Sequence, residues 1–324
     1  MRAVVLREFG PPSNLIIDEV ADPEPGPSQA LIEVAAAGIT FVETQIRAGR
    51  GPNPGMLPLL PITLGNGVSG TVIAIGDGVD PAIVGTIVVT TTGGAGGYAE
   101  RVAVSAAQVI PVPPGVSPVE AVALLADGRT ATGMCRAVAV QAGEWVLVEA
   151  AAGGVGSLLV QLVKSAGARV VAAASSEAKL DIARDLGADV LVDYTDPAWP
   201  MNVRDATDGH GVDVVFDSVG GDIGSAAVSL LADNGRLCVF GVASGTPTST
   251  DDDDLARRNV QVTGLRSLTW SAADMRELSQ WALAEAAAGR LRPTVGQIFA
   301  LADAAAAHAA MEARSTLGKT VLIP

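Results

Sequence analysis

The chain has 324 residues, enough for about two domains, and 49% of them are hydrophobic while only 3% are aromatic. Its net charge of −14 argues against a nucleic-acid partner and against binding to an anionic membrane surface. The sequence has no 18-residue apolar run and no signal-peptide pattern, and Cys135 and Cys238 lie in apolar contexts typical of core thiols. These features predict a cytoplasmic protein without membrane spans or disulfides.

The first 121 residues are short β-rich runs separated by glycine and proline, which predicts a compact, mostly antiparallel sheet or partial barrel. A helix is predicted to begin after Ser117, which can cap it, with Pro118 at the first helical position. After Arg290 the chain shows a strand pattern, an alanine-rich helix and a final strand, which we expect to rejoin the first domain. The predicted domains are therefore 1–121 completed by 291–324, and 122–290.

The segment VLVEAAAGGVGSLLVQLVK, residues 146–164, carries the most specific pattern of the chain. A short apolar strand runs through a glycine-rich turn directly into a helix, an arrangement that binds the pyrophosphate of a dinucleotide. Gly153 is expected to let the backbone approach the pyrophosphate, and Gly156 to let the helix pack closely on the strand. Ala151 replaces the first glycine of G-x-G-x-x-G, so the context of the turn carries the assignment.

Further strand patterns follow this turn and alternate with helical segments. Such alternation predicts an α/β domain with a doubly wound parallel sheet. The strands are expected at residues 168–176, 189–194, 211–217, 235–241 and 260–265.

The end of the second strand indicates which nicotinamide dinucleotide the domain binds. NAD sites usually place a carboxylate there, about 20 residues past the motif, to hold the ribose 2′-hydroxyl. This strand instead ends in serines, and Ser175, Ser176 and Lys179 offer the hydroxyls and the cation that a 2′-phosphate needs. The sequence therefore favours NADPH. Glu177 is an alternative acceptor for the ribose hydroxyl, or else a first-turn carboxylate favoured by the helix dipole.

Taken in chain order, the sequence motifs resemble those of the medium-chain dehydrogenase/reductase superfamily, specifically its zinc-free, zeta-crystallin-like quinone oxidoreductase branch. The resemblance covers essentially the full length and rests on AAGITFVETQIRAG, LGNGVSGTV, GGYAERVAV, AAAGGVG, LGADVLVDY, GVDVVFDSVGG, CVFG and LGKTVLIP. It implies a GroES-like domain beside a Rossmann NADPH-binding domain. It also implies a homodimer formed by edge strands of the two cofactor domains, with VQVTGL (residues 260–265) as the candidate edge.

The resemblance further implies a set of cofactor-binding residues. The set comprises Thr130 at the nicotinamide-side phosphate or ribose; Gly153, Gly154 and Val155 along the pyrophosphate; Ser175, Lys179, Tyr194 and Arg314 around the 2′-phosphate; Ser218 and Val219 on the adenosine side; and Phe240, Gly241, Val242, Leu265, Arg266 and Ser267 around the nicotinamide.

Zinc enzymes of this superfamily need a Cys and a His at positions that Thr40 and Asn66 occupy here, and the loop of residues 92–97 has none of the thiolates of a structural zinc. We therefore predict no metal. Without a Lewis acid, hydride transfer needs an intrinsically good acceptor, which predicts a small electrophile such as a quinone or an activated α,β-unsaturated carbonyl.

Thr40 and Gln45 are the predicted catalytic residues, at positions where the branch often has Asn and Tyr. They are expected to bind and polarise the substrate while water supplies the proton. Gln45 has an alternative interpretation as a helix-surface amide. Two other functions stay open: an enoyl-thioester reductase, which would need a basic groove for its carrier, and a non-enzymatic NADPH-binding protein, which the loss of both usual polar residues would permit.

Overall fold

The computed structural model describes residues 1–51, 55, 57–265 and 267–324. The chain forms two compact units, Met1–Gly128 with Ser279–Pro324, and Arg129–Leu278. The division falls within two long helices. The domain limits inferred from the sequence, at 121/122 and 290/291, stay a proposal.

The helices and strands are numbered here in chain order. They are β1 (Arg2–Leu6), β2 (Leu15–Glu19), β3 (Gln29–Ile39), α1 (Phe41–Arg47), β4 (Ile62–Thr63), β5 (Gly67–Ile75), β6 (Ile87–Thr91), β7 (Arg101–Ser105), β8 (Ile110–Pro111), α2 (Pro118–Ala137), β9 (Trp145–Glu149), α3 (Gly154–Ser165), β10 (Arg169–Ala174), α4 (Glu177–Asp185), β11 (Val190–Asp193), α5 (Trp199–Ala206), β12 (Val212–Asp217), α6 (Gly221–Ser229), β13 (Leu231–Val239), α7 (Asp252–Arg257), β14 (Gln261–Gly264), α8 (Ala272–Ala287), β15 (Val295–Ala300), α9 (Ala304–Glu312) and β16 (Lys319–Ile323).

The first unit is built on two sheets around an aliphatic core. One sheet has the order β15-β16-β3-β5-β6-β8, with β7 also paired to β3, and the other has the order β2-β1-β4. The pairs are antiparallel except β15 with β16. Leu6, Ile32, Val68 and Leu322 are buried together in the core. β16 pairs with β3, so the C-terminal strand lies in the same sheet as β3.

The second unit is a doubly wound parallel sheet, which confirms the predicted fold. Its order is β11-β10-β9-β12-β13-β14, and every neighbouring pair is parallel. Leu147, Val171, Val215 and Leu237 are fully or almost fully buried, as expected for a parallel sheet with helices on both faces. The winding reverses between β9 and β12, and dinucleotides bind outside the carboxyl ends of strands at such a switch point.

One strand begins earlier than its sequence pattern indicates. β13 starts at Leu231, four residues before the predicted start at Gly235. Two residues typical of turns, Asn234 and Gly235, lie inside this strand, and Asn234 has φ of 64°. The strand continues past them because its register with β12 shifts between Val212 and Val214. A bulge accommodates such residues inside a ladder.

The predicted start of α2 is confirmed by a reciprocal cap. The Glu120 N–H donates to Ser117 Oγ at 3.2 Å, and the Ser117 N–H donates to Glu120 Oε2 at 2.8 Å. Within the described ranges, neither α2 nor any other helix is long and apolar enough to cross a membrane.

Candidate functional site

The turn between β9 and α3 has the close approach that a pyrophosphate-binding turn requires. Ala150 adopts φ of 46°, and the Gly153 N–H donates to its carbonyl at 2.8 Å. A Cβ on Gly156 would lie 2.3 Å from the Ala150 carbonyl oxygen, so glycine is needed for α3 to begin this close to β9. Gly153, Gly154 and Val155 are partly exposed at the N-terminus of α3, where backbone N–H groups stabilise an anion.

The structure brings together three of the four predicted 2′-phosphate residues at the carboxyl ends of β10 and β11. Lys179 Nζ donates to Ser175 Oγ at 3.0 Å, and the Tyr194 N–H donates to the Ala174 carbonyl at 3.0 Å. Tyr194 also packs against the core of this unit. Glu177 is exposed in the first turn of α4, as its helix-dipole interpretation requires.

The fourth predicted residue of that group, Arg314, belongs to the first unit. It follows α9 with φ of 55°, its side chain is exposed, and its N–H donates to the Met311 carbonyl at 3.0 Å.

The loops after β12 and β13 carry further predicted cofactor residues and are joined by backbone hydrogen bonds. The Phe240 N–H donates to the Asp217 carbonyl at 2.8 Å, and the Ser244 N–H donates to the Val219 carbonyl at 2.8 Å. A Cβ on Gly241 would lie 2.6 Å from the Ser218 carbonyl oxygen, so only glycine allows this approach. The two loops therefore hold each other in one shape.

The remaining predicted cofactor residues are placed by β14 and α2. The Leu265 N–H donates to the Val239 carbonyl at 3.0 Å, and Ser267 Oγ donates to the Gly264 carbonyl at 2.8 Å. Val242 is exposed, and Thr130 is half-buried on α2. Arg266 lies outside the described residues. The strand-end positions thus share one edge of the sheet, where a dinucleotide binds in this fold.

Sequence reasoning missed two buried carboxyl groups at this edge. Glu149 ends β9 and Asp217 ends β12, and neither side chain has any exposed surface. Glu149 Oε2 accepts the N–H groups of Ser218 and Val219 at 3.3 and 3.0 Å, and Asp217 Oδ1 accepts those of Val219 and Gly220 at 3.1 and 2.9 Å. Burial, together with the adjacent Asp217, raises the pKa of Glu149 well above its usual range. An acidic residue closing each of two apolar runs, VLVE and VVFD, was the available signal.

In the first unit, a carboxyl group that sequence reasoning also missed positions Thr40. Glu43 is only 3% exposed, and its carboxyl accepts the N–H of Thr40 at 2.6 Å, the hydroxyl of Thr40 at 2.9 Å and the N–H of Asn66 at 2.7 Å. Burial raises the pKa of Glu43. A hydroxyl has only one proton to donate. When Thr40 donates it in a hydrogen bond to an ionised Glu43, the Thr40 oxygen can only accept further hydrogen bonds. Gln45 is half-buried on α1, and its amide donates to Thr44 Oγ1 at 3.2 Å.

Two family models match the chain in the order of these units. The alcohol dehydrogenase GroES-like domain matches residues 26–114, and a domain described as zinc-binding dehydrogenase matches residues 154–284. The chain is 35% identical over 323 residues to a quinone oxidoreductase of Pseudomonas aeruginosa, covering 98% of this chain and 97% of that protein. It belongs to the zinc-free quinone oxidoreductase branch of the medium-chain dehydrogenase/reductase superfamily.

Other members of the superfamily agree with this placement. A 2-haloacrylate reductase of a Burkholderia species is 33% identical over 331 residues, covering 99% of this chain and 98% of that protein. The structure of the Escherichia coli quinone oxidoreductase complexed with NADPH has a TM-score of 0.91 at 29% identity, with both chains covered completely. The chain is therefore an oxidoreductase with a GroES-like domain and a Rossmann-like NAD(P)-binding domain.

In this quinone oxidoreductase homologue, the two positions that carry zinc ligands in zinc-dependent superfamily members are tied together by Glu43. Its carboxyl group holds the backbone of both Thr40 and Asn66. Of the two histidines, His210 is exposed and lies 3.1 Å from Asp213 Oδ1, while His308 is fully buried. Across the described residues, no group of three or more His, Cys, Asp or Glu side chains is placed to hold a metal ion.

Behind Glu43 lies a buried polar cluster of the first unit. The hydroxyl of Tyr98 is 3.1 Å from His308 Nε2, and Arg47 pairs with Glu312. Burial, reinforced by Arg47, lowers the pKa of His308 to about 3, so its imidazole is neutral at physiological pH. This neutral histidine supports the packing of α9 in the quinone oxidoreductase fold and lies in the core.

Proposed function

We propose that this chain is an NADPH-dependent reductase that transfers a hydride to quinones or activated α,β-unsaturated carbonyls. One observation carries the cofactor choice: Lys179 Nζ lies 3.0 Å from Ser175 Oγ at the end of β10, where an NAD enzyme places a carboxylate. A 2′-phosphate carries about two negative charges and accepts strong hydrogen bonds from such a cation and hydroxyl. The NADPH bound by the homologous E. coli enzyme supports the same choice.

The residues of the second unit fit this cofactor. The N-terminus of α3 would hold the pyrophosphate, the loops after β12 and β13 would line the adenosine and nicotinamide, and Ser175 with Lys179 would hold the 2′-phosphate. When bound, NADPH supplies the hydride. The close contact of Gly156 with Ala150 keeps the backbone at the position this binding requires.

The substrate class follows from the side chains proposed at the reacting end. Gln45 offers an amide whose second N–H can bind and orient a carbonyl, whereas Thr40 donates its hydroxyl proton to Glu43 and offers only an acceptor oxygen; both are poor acids. Such residues suit an acceptor that is already electron-poor, with the proton coming from water. Quinones and 2-haloacrylates, the substrates in the names of two relatives, are both electron-poor acceptors.

The deciding assay follows NADPH oxidation with a benzoquinone, a 2-alkenal, a 2-chloroacrylate and an enoyl thioester side by side, and repeats each with NADH. We expect turnover with NADPH, and the fastest acceptor identifies the substrate class. Turnover with an enoyl thioester alone would replace this proposal with an enoyl-thioester reductase. A preference for NADH would overturn the cofactor assignment.

We also propose that two copies of the chain pair through β14. We further propose that the protein works in the cytoplasm on small molecules, without nucleic-acid or membrane partners. β14 is the end strand of the six-stranded sheet, and Val262 on it is 57% exposed. An unpaired strand edge with exposed apolar side chains can pair with another chain. Cell fractionation tests the compartment.

A further inference from the structure

Glu149 and Asp217 lie side by side at the point where the winding of the parallel sheet reverses. In the register of β9 and β12, Phe216 lies opposite Val148, and the two acidic residues follow next on their strands. The two carboxyl groups are close enough for Asp217 to raise the pKa of Glu149. Both are fully buried, although a buried carboxylate normally has a cationic partner. Because both side chains are acidic, an ion pair between them does not account for their burial.

One of the four carboxyl oxygens of the pair has no hydrogen-bond partner among the described residues. Glu149 Oε2 accepts the N–H groups of Ser218 and Val219, and Asp217 Oδ1 accepts the same Val219 N–H and that of Gly220. Asp217 Oδ2 accepts the hydroxyl of Thr248. Glu149 Oε1 has no partner among the described residues. Two ionised carboxylates offer no donor to each other, whereas one proton on the pair supplies a donor and removes the repulsion between the two charges.

The neighbouring strands contribute nothing that would stabilise a second negative charge. Ala173 lies opposite Glu149 on β10 and cannot ionise. On β13, Cys238 interacts with Asp217, but burial raises the pKa of this thiol to about 12, so it is neutral. No basic side chain in the described part of the chain contributes to the ionisation of Glu149. Burial and the neighbouring Asp217 therefore both favour the protonated form of Glu149.

The four backbone N–H bonds fix the turn formed by Ser218, Val219 and Gly220. Gly220 has φ of 72°, and Ser218 Oγ also donates to the Glu149 carbonyl at 3.3 Å. We propose that Glu149 and Asp217 share one proton and that Glu149 is a positioning residue, which holds this turn in the shape that receives the adenosine side of NADPH. The inference rests on the proposed function, because it takes this turn as part of the cofactor site. Loss of the proton places a second negative charge behind the turn and weakens binding of an anionic cofactor.

The first test compares NADPH affinity in the wild type, Glu149→Gln and Asp205→Asn. The amide of glutamine keeps an acceptor for Ser218 and Val219 and donates permanently to Asp217, so it mimics the protonated pair. Asp205 is an exposed carboxylate on α5 and serves as the control. Binding titrations from about pH 6 to about pH 9 should show wild-type and control affinity falling relative to Glu149→Gln, by up to about tenfold per pH unit as the pair ionises.

The second test measures unfolding of the same proteins without cofactor. In the unfolded chain the pKa of Glu149 returns to its ordinary value of 4.5, whereas in the folded chain it is well above that value. The native state therefore binds more protons above about pH 4.5, and wild-type stability falls with rising pH relative to Glu149→Gln until the native pair has lost its proton. We expect the two curves to diverge as pH rises, with Asp205→Asn parallel to the wild type.

The outcomes separate the inference from the proposed function. Parallel unfolding curves for wild type and Glu149→Gln would show that the pair holds no proton and would overturn the inference. Diverging curves with identical pH profiles of NADPH affinity would overturn the positioning role. Failure of every protein to bind NADPH would defeat the proposed function, while the unfolding comparison would still decide the shared proton. If Glu149→Gln does not fold, Asp217→Asn, which removes the like charge, should lose the same pH dependence.

Discussion

Lys179 is the residue on which the cofactor choice depends. Replacing it with alanine removes the cation beside Ser175, so NADPH affinity should fall about tenfold to a hundredfold, which corresponds to the loss of one charge-assisted hydrogen bond. NADH lacks the 2′-phosphate, and its affinity should change little. Binding titrations with both nucleotides test this.

Lys164→Ala is the matched control for that variant. Lys164 pairs with Asp189 at 2.7 Å and is not among the predicted cofactor residues, so neither affinity should change when it is removed. Equal losses of NADPH and NADH affinity in Lys179→Ala would rule out a 2′-phosphate contact.

His308 makes the stability of the first unit sensitive to acid. Its pKa in the folded chain is about 3, against an ordinary value of 6.5, so the unfolded chain binds the extra proton between these values. The contribution of neutral His308 to the free energy of unfolding is complete above about pH 6.5 and is lost as pH falls toward 3. Unfolding free energy should therefore drop by about 2 kcal/mol more between about pH 7 and about pH 5 than in a variant without the titration.

His308→Gln keeps a hydrogen-bonding group beside Tyr98 and should remove this acid sensitivity. His210→Gln, at the exposed histidine, should keep the wild-type slope. Denaturant unfolding at each pH provides the measurement, and a slope unchanged in His308→Gln would disprove the assignment.

At the scale of elements, the strand–turn–helix of β9 and α3 depends on the short distance between the end of β9 and the first turn of α3. Gly156→Ala would place a Cβ 2.3 Å from the Ala150 carbonyl oxygen, a clash with backbone that must shift α3. We expect a loss of about 1–3 kcal/mol of stability together with weaker NADPH binding.

Gly153→Ala separates the two effects. Its Cβ would lie 3.1 Å from the Ala150 carbonyl oxygen, and the φ of −76° suits alanine, so stability should change far less. Cofactor affinity should still fall, because the methyl group would stand where the backbone approaches the pyrophosphate. Calorimetry gives both quantities, and equal stability losses in the two variants would contradict this division of roles.

At the scale of the whole molecule, the proposed dimer depends on the free edge of β14. Val262→Asp places a charge on this edge and should convert a sedimenting dimer into a monomer at micromolar concentration. Ile298→Asp is the control, because Ile298 is equally exposed, at 58%, on the end strand β15 of the other unit. A monomeric wild type, or dissociation by both variants, would refute pairing through β14.

The sequence by itself determined the local elements of this protein. The β9–α3 turn, the cap of α2 and the parallel α/β pattern all depend on residues close together in the chain, whose sterics and hydrophobic periodicity act over a few positions. Ser175 and Lys179 were predictable for the same reason, since a separation of four residues at the start of a helix brings their side chains together.

Only the tertiary structure decided the contacts between distant segments. Val219 lies 70 residues from Glu149, and Asn66 lies 23 residues from Glu43, yet each donates a backbone N–H to that buried carboxyl group. The early start of β13 likewise depends on pairing with β12. Strand pairing and burial set these contacts, and both arise from the packing of the whole chain, so local pattern does not reveal which carboxyl group loses its solvent and keeps its proton.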